Sequence, residues 1–273
     1  GAIRRLGREW DASRDPPGIS VKLSALHPRL ELLQRDVVFK DLLSGLVDLA
    51  RVARENGVAV TLDAEEAALL ELQLMLLEAV LRSPALAGWD GMGVAVQAYQ
   101  RRAFAVLDWL DDIACQTARR IPVRLVKGAY WDTEIKRAQE AGLCSYPVFT
   151  RKVNTDVAYL ACARRVLQAG DRLVGQFATH NAHTVAWVMQ EAAAAGTAFE
   201  FQRLHGMGEA LYDEVVEGFG LPCRVYAPVG PQEELLPYLV RRLLENGANS
   251  SFVNRIVQDT VPVADIIGDP VLQ

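Results

Sequence analysis

Seven short β-rich runs, each followed by an amphipathic helical stretch, constrain this chain more than any other feature. The runs occupy residues 18–24, 58–64, 93–98, 121–127, 174–180, 198–204 and 223–228. Between them, as in 37–56, 65–82 and 101–120, apolar residues recur at three- and four-residue spacing, the period of a helix with one buried face. Gly57, Gly142, Gly170, Gly196 and Gly220 stand where helical stretches stop, the usual place for a left-handed closing residue. Strand–helix alternation predicts parallel strands joined by right-handed crossovers. A doubly wound sheet and a barrel both obey that rule. No G-x-G-x-x-G follows an early strand, which weakens the dinucleotide-binding doubly wound option. Seven units in 273 residues approach the (βα)8 barrel, which takes about 250. Residues 1–17 read as the end of a helix and a Pro-rich turn rather than a strand.

Composition narrows the function classes. The net charge of −5 argues against nonspecific nucleic-acid binding. No apolar run reaches the ~18 residues a bilayer span needs, and the arginine-bearing start lacks the apolar segment of a secretory signal. Cys115, Cys144, Cys162 and Cys223 are scattered, with no C-x-x-C pair. That points to reduced thiols and a cytoplasmic setting. His180 and His183 lie close together, but no acidic or cysteine partner adjoins them, so no metal site is expected.

Strand residues alternate faces with period two, and every run delivers polar side chains near its C-terminal end. These are Lys22, Asp63, Gln97, Arg124 with Lys127 just past it, Thr179 with His180, Gln202, and Tyr226. In a barrel these ends share the rim where active sites are built. Burying such groups is costly unless they serve one another or a ligand. A late helix, 236–249, adds Arg241 and Arg242 side by side, with Glu245 one turn on from Arg241. Paired guanidinium forks grip carboxylates or phosphates with parallel hydrogen bonds, so an anionic ligand of appreciable size suits the set. Tyr130 and Tyr226 either flank a small apolar ring or pack in the core, and Leu204 is either core or pocket wall. Gly128, in the loop 127–132, lets backbone approach a neighbour closely. Thr150, Arg151 and Lys152 stand near a helix start, where phosphates bind well. A Schiff-base enzyme using Lys22 or Lys127 is a rival reading of the same inventory.

The blocks V-K-L-S-A-L-H-P-R, D-A-E-E, V-Q-A-Y-Q-R-R, R-L-V-K-G-A-Y-W-D-T-E-I-K-R-A-Q, F-A-T-H-N-A-H-T, F-Q-R-L-H-G-M-G-E and Y-L-V-R-R-L-L-E-N-G-A-N resemble the proline dehydrogenase domain of bacterial bifunctional proline utilisation A proteins. The resemblance runs from about residue 19 to the end of the chain. It implies an α/β fold, a distorted (βα)8 TIM-type barrel whose first strand is missing from this chain. The domain layout it suggests is a helix remnant and turn at 1–17, an FAD-binding catalytic barrel at 18–260 and a tail at 261–273. It implies noncovalent FAD and oxidation of L-proline to Δ1-pyrroline-5-carboxylate, the first step of proline catabolism. Electrons would pass to a quinone in the intact protein, which would be cytoplasmic and peripheral at the inner membrane. Arg124, Asp63 and Lys22 take catalytic roles by this resemblance. Lys22, Arg241 and Arg242 hold the proline carboxylate, Asp63 orders the site, and Ala129, Tyr130, Leu204 and Tyr226 pack about the pyrrolidine ring. FAD is met by Gln97, Arg124, Val126, Lys127, Gly128, Trp131, Thr150, Arg151, Lys152, Thr179, His180, Asn181, Gln202, Leu204, Arg242, Glu245, Ser251 and Phe252. The alternative is a trimmed domain that binds flavin and proline but is catalytically impaired.

Overall fold

Helices form where one face of a 3.6-residue repeat can be buried. In α3 (Arg35–Glu55) the stripe Val38, Leu42, Leu46, Ala50 and Ala53 is buried at steps of three and four. A fully buried leucine contributes roughly 1.5–3 kcal/mol relative to an exposed one, so this face, not backbone propensity, holds the helix down. The computed structural model describes residues 1–11, 15–27, 30, 35–230, 235, 236, 240 and 269–272. Arg241, Arg242, Glu245, Ser251 and Phe252 lie outside the described residues.

The described helices are α1 (Ala2–Glu9), α2 (Leu23–Leu26), α3, α4 (Leu70–Leu81), α5 (Ala103–Thr117), α6 (Trp131–Glu140), α7 (Lys152–Gln168), α8 (Ala182–Ala195) and α9 (Glu209–Asp213). The described strands are β1 (Gly18–Val21), β2 (Ala59–Leu62), β3 (Met92–Gln97), β4 (Ile121–Val126), β5 (Leu173–Ala178), β6 (Phe199–Leu204) and β7 (Cys223–Tyr226). Strand order is chain order. The registers are parallel for β1–β2, β2–β3, β3–β4 and β6–β7. Parallel strands in chain order, with helices between most of them, are the connectivity of a βα barrel, the α/β class the alternation predicts.

Two compact units divide the chain, Gly1–Gly175 and Gln176–Gln273. In the first, all six residues of β3 are buried; α5, with buried Val106, Leu107 and Leu110, packs on β3, and α7, with buried Leu160, Ala163 and Val166, packs on β4 and α5. In the second, Phe177, Phe199, Phe201 and Tyr212 form a chain of ring contacts at 5.0–5.8 Å between centroids.

Every strand falls within one residue of its predicted run, but several ends differ for tertiary reasons. The first run stops at Val21 rather than reaching Ser24. There the Glu65 carboxylate accepts hydrogen bonds from Ser24 N (3.0 Å) and Ser24 Oγ, drawing the chain off the ladder into α2. The stretch predicted helical from residue 65 becomes α-helical only at Leu70, after a 3₁₀ turn at Ala67–Leu69. Helix α5 closes on Ala118 with φ of 50°, a left-handed stop made without glycine.

Candidate functional site

In the first unit the strand register builds a row of side chains. Ser20 faces Thr61 across β1–β2, and Thr61 faces Gly93 across β2–β3. Two residues further on, on the same faces, lie Lys22, Asp63, Ala95 and Arg124, with Ala95 and Arg124 directly opposed. Arg124 is 8% exposed. Its Nη1 donates to Ser20 Oγ at 2.8 Å and lies 3.5 Å from Asp63 Oδ1. Lys22 Nζ lies 3.8 Å from the other carboxylate oxygen of Asp63 and donates to Tyr130 Oη at 2.6 Å. Burial works against the Lys22 charge. The hydrogen bond and field of Tyr130, with the fields of Asp63 and Glu65, outweigh it, so the ammonium sits above its ordinary pKa. Asp63 thus stands between two cations from separate strands. With Glu65 beside Lys22, the formal charges of this cluster balance, so an anion anchored here calls for further cations. The sequence singles out Arg241 and Arg242 for that task, outside the described residues.

The D-A-E-E segment that follows β2 is pinned from several sides. Gln97 donates to Glu65 O at 2.8 Å and accepts from Ala129 N at 3.2 Å, so one amide ties the segment to the turn after β4. Ala67 N donates to the buried carboxylate of Glu134 at 2.6 Å. Ala67 O accepts from Arg102 at 2.8 Å, and Arg137 pairs with Glu66. Burial pushes the Glu134 carboxyl up from its ordinary value.

The turn after β4 shows what its glycine is for. Gly128 has φ of 146°, and a Cβ there would lie 2.5 Å from the ring of Tyr99. The group that approaches the bare backbone is therefore an aromatic ring of this chain. Tyr99 is itself held by its N–H to Lys127 O and by its carbonyl to Phe149 N, both at 2.8 Å. Trp131 Nε1 donates to Phe149 O at 2.8 Å, joining the turn to the segment before α7. Val126 faces Gln97 in the register. Arg151 is the residue before α7 and makes no side-chain cap. Lys127 and Lys152 both pair with Asp156 on the first turns of α7, Lys152 at 2.6 Å. Burial acts to raise the Asp156 carboxyl, but Lys127 and then Lys152 outweigh it and hold it below the usual range.

In the second unit the segment after β5 is ordered by its own side chains. Thr179 Oγ1 accepts from Asn181 N at 3.2 Å, and Asn181 caps α8 by accepting from Thr184 N at 3.0 Å. His180 Nε2 accepts from Leu204 N at 3.2 Å, which assigns the imidazole proton to Nδ1. Gly208 leaves room for the His180 ring, since a Cβ there would come within 2.9 Å of it. Leu204 and Tyr226 are register partners at the ends of β6 and β7. Gln202, 3% exposed, donates to Glu200 at 2.7 Å. The same carboxylate accepts from Gln176 at 3.0 Å and from Arg224 at 2.8–3.1 Å in bidentate fashion.

The structure therefore brings Lys22, Asp63, Arg124 and Tyr130 into one cluster. Gln97 and Ala129 are joined beside the pinned segment, as are Lys127 and Lys152 through Asp156. Sequence reasoning missed Ser20, Tyr99, Glu134, Asp156, Glu200 and Arg224. A local signal existed for four of them: Ser20 shares a strand face with Lys22, Glu200 with Gln202 and Arg224 with Tyr226, and Asp156 stands one helical turn on from Lys152. The others come from elements joined only by folding.

A family profile described as "Proline dehydrogenase" matches residues 2–255. "Bifunctional protein PutA" of Klebsiella aerogenes is 55% identical over 279 residues, which cover 99% of this chain and 21% of that protein. A solved structure of a point mutant of Bradyrhizobium japonicum proline utilization A (PutA) matches with TM-score 0.94 and 54% identity, covering 98% of this chain and 28% of the other. The same protein of Bdellovibrio bacteriovorus, inactivated by N-propargylglycine, matches with TM-score 0.93 and 33% identity, covering 99% and 29%. The chain spans about a fifth of the length of the curated PutA relatives it matches, 21% in the case above.

Proposed function

Because the chain belongs to the proline dehydrogenase family, we propose that it oxidises L-proline to Δ1-pyrroline-5-carboxylate, with noncovalently bound FAD as the hydride acceptor. The observation that carries this reading is the cluster in which Lys22 and Arg124 meet on Asp63 beside the Tyr130 hydroxyl. The N-propargylglycine inactivation of a relative agrees with a site shaped for an amino acid.

The residues present fit a flavin dinucleotide by the chemistry of their donors. At the start of α7, Lys127 and Lys152 share the single carboxylate Asp156, and Arg151 stands at the N-cap. The helix has no side-chain cap there, and uncapped first-turn N–H groups beside surplus cations suit a pyrophosphate. Helix α8, by contrast, is capped by Asn181. In the proposal Thr150, Arg151, Lys152, Lys127, Gly128, Val126 and Trp131 hold the cofactor. Thr179, His180, Asn181, Gln202, Leu204, Arg242, Glu245, Ser251 and Phe252 contribute the rest, and Gln97 and Arg124 attend the flavin ring.

Held by these residues, FAD would supply the acceptor for the hydride that leaves the carbon beside the ring nitrogen of proline. The work left to the chain is positioning and electrostatics. Lys22, Arg241 and Arg242 take the substrate carboxylate, and Tyr130 orients Lys22 through its hydroxyl. Ala129, Tyr130, Leu204 and Tyr226 contact the apolar ring. Arg124 supplies positive charge where negative charge develops. Asp63 keeps the two cations apart and aligned. The amine proton leaves to solvent. A quinone at the inner membrane is the proposed final acceptor for the intact protein. No described helix is long and apolar enough to cross a membrane.

Protein purified with flavin should be yellow, and anaerobic L-proline should bleach it. Protein that takes up no FAD overturns the reading, and yellow protein that proline leaves oxidised reduces it to flavin binding alone.

A further inference from the structure

We propose that Ser20 is a positioning residue that aims the Arg124 guanidinium, an assignment that rests on the flavin reading above. Arg124 reaches Ser20 from β4 to β1, 104 residues apart in sequence. The route is open because β3 presents small residues on that face. Ala95 stands directly opposite Arg124. Two residues earlier stands Gly93, where a Cβ would lie 2.6 Å from Pro122 O, so that position stays bare. Ser20 lies on the face of β1 that two residues later carries Lys22.

The Ser20 and Asp63 contacts of Arg124 do different things. The Asp63 oxygen at 3.5 Å is beyond the ~2.7–2.9 Å of a charge-assisted hydrogen bond. It attracts the cation without fixing the plane of the guanidinium. The Ser20 hydroxyl at 2.8 Å is short and directional, and it is neutral. A carboxylate at that place would orient Arg124 equally well but cancel its field. A hydroxyl orients the fork and leaves the positive charge to act on a ring that gains electrons. A side chain needed only to satisfy a buried donor would have no reason to act on that ring.

The test compares Ser20→Ala and Ser20→Thr in the full chain with bound flavin, and repeats Ser20→Ala in an Arg124→Met background. With Ser20→Ala, flavin reduction at saturating proline should slow about 10-fold, the loss expected for one hydrogen bond to a charged group. The proline concentration for half-saturation should change less than about twofold, since the carboxylate anchors are untouched. The reduction potential of the bound flavin, measured by dye equilibration without proline, should move to a more negative value. Ser20→Thr should restore rate and potential. In the Arg124→Met background, Ser20→Ala should shift the potential no further. An unchanged potential and rate in Ser20→Ala, or a shift that persists undiminished without Arg124, overturns the proposal. A wild-type chain that holds flavin but resists reduction by proline refutes the proposed activity separately, because the potential measurement still decides the role of Ser20.

Discussion

Replacing Gly128 by alanine tests whether the turn after β4 is shaped by the Tyr99 ring. The new Cβ would lie 2.5 Å from two atoms of the ring and 2.6 Å from a third, at a backbone φ of 146°. The ring has nowhere to go: Tyr99 is 2% exposed, and its N–H and carbonyl are both held at 2.8 Å by Lys127 and Phe149. The forced contact costs roughly 1–3 kcal/mol and the glycine-only backbone roughly 1–3 kcal/mol more, so about 2–6 kcal/mol is expected in total. Urea unfolding followed by circular dichroism measures it. Relief then comes from shrinking the ring. Tyr99→Leu alone should cost ~1–3 kcal/mol as a cavity, but combined with Gly128→Ala the loss should fall short of the sum by at least ~1 kcal/mol. The turn carries Lys127, Ala129 and Tyr130, so proline turnover by Gly128→Ala should drop further than its folded fraction. Stability within ~0.5 kcal/mol of wild type, or strict additivity in the double variant, would refute the reasoning.

Glu200→Gln should destabilise the second unit by ~1–3 kcal/mol, because the half-buried Arg224 guanidinium loses its bidentate carboxylate. Urea titration checks it, and a change under ~0.3 kcal/mol would count against the network. Asp156, and Asp111 of α5, which pairs with Arg172 and Arg165, are both held by their cationic partners below the usual carboxylate range. The stability they contribute is therefore fully present above their unfolded pKa of about 3.9 and is lost as pH falls through the depressed folded values. An acid unfolding series should steepen below about pH 4, and Asp156→Asn should flatten it. Tyr130→Phe removes the 2.6 Å partner of Lys22 and should raise the proline KM roughly 3–10-fold with kcat much less affected, in steady-state assays.

The placement of elements was legible because it depends on local periodicity. Alternation and helical spacing located the start of every described strand to within a residue, and the glycines at 57, 142, 170, 196 and 220 all adopt positive φ. Period two also placed Lys22, Asp63 and Arg124 near strand ends, and parallel order makes them neighbours. Errors fell where a distant side chain competes with local preference, as when Glu65 draws Ser24 out of the first run. Glu65 and Glu66 lack helical structure for a similar reason: the backbone beyond them is bound by Glu134 and Arg102.

The chain order of polar and apolar residues alone determined the α/β class, the strand positions and which residue types crowd the strand ends. Only the folded chain decided which of those groups touch. Ser20 meets Arg124, Lys127 of the turn after β4 reaches Asp156 on α7, and Glu200 gathers Gln176 and Arg224 from other strands. Such pairings depend on strand register and on rotamers set by small neighbours such as Gly93 and Ala95. Local sequence fixes neither, because both arise only when segments far apart in the chain pack against one another.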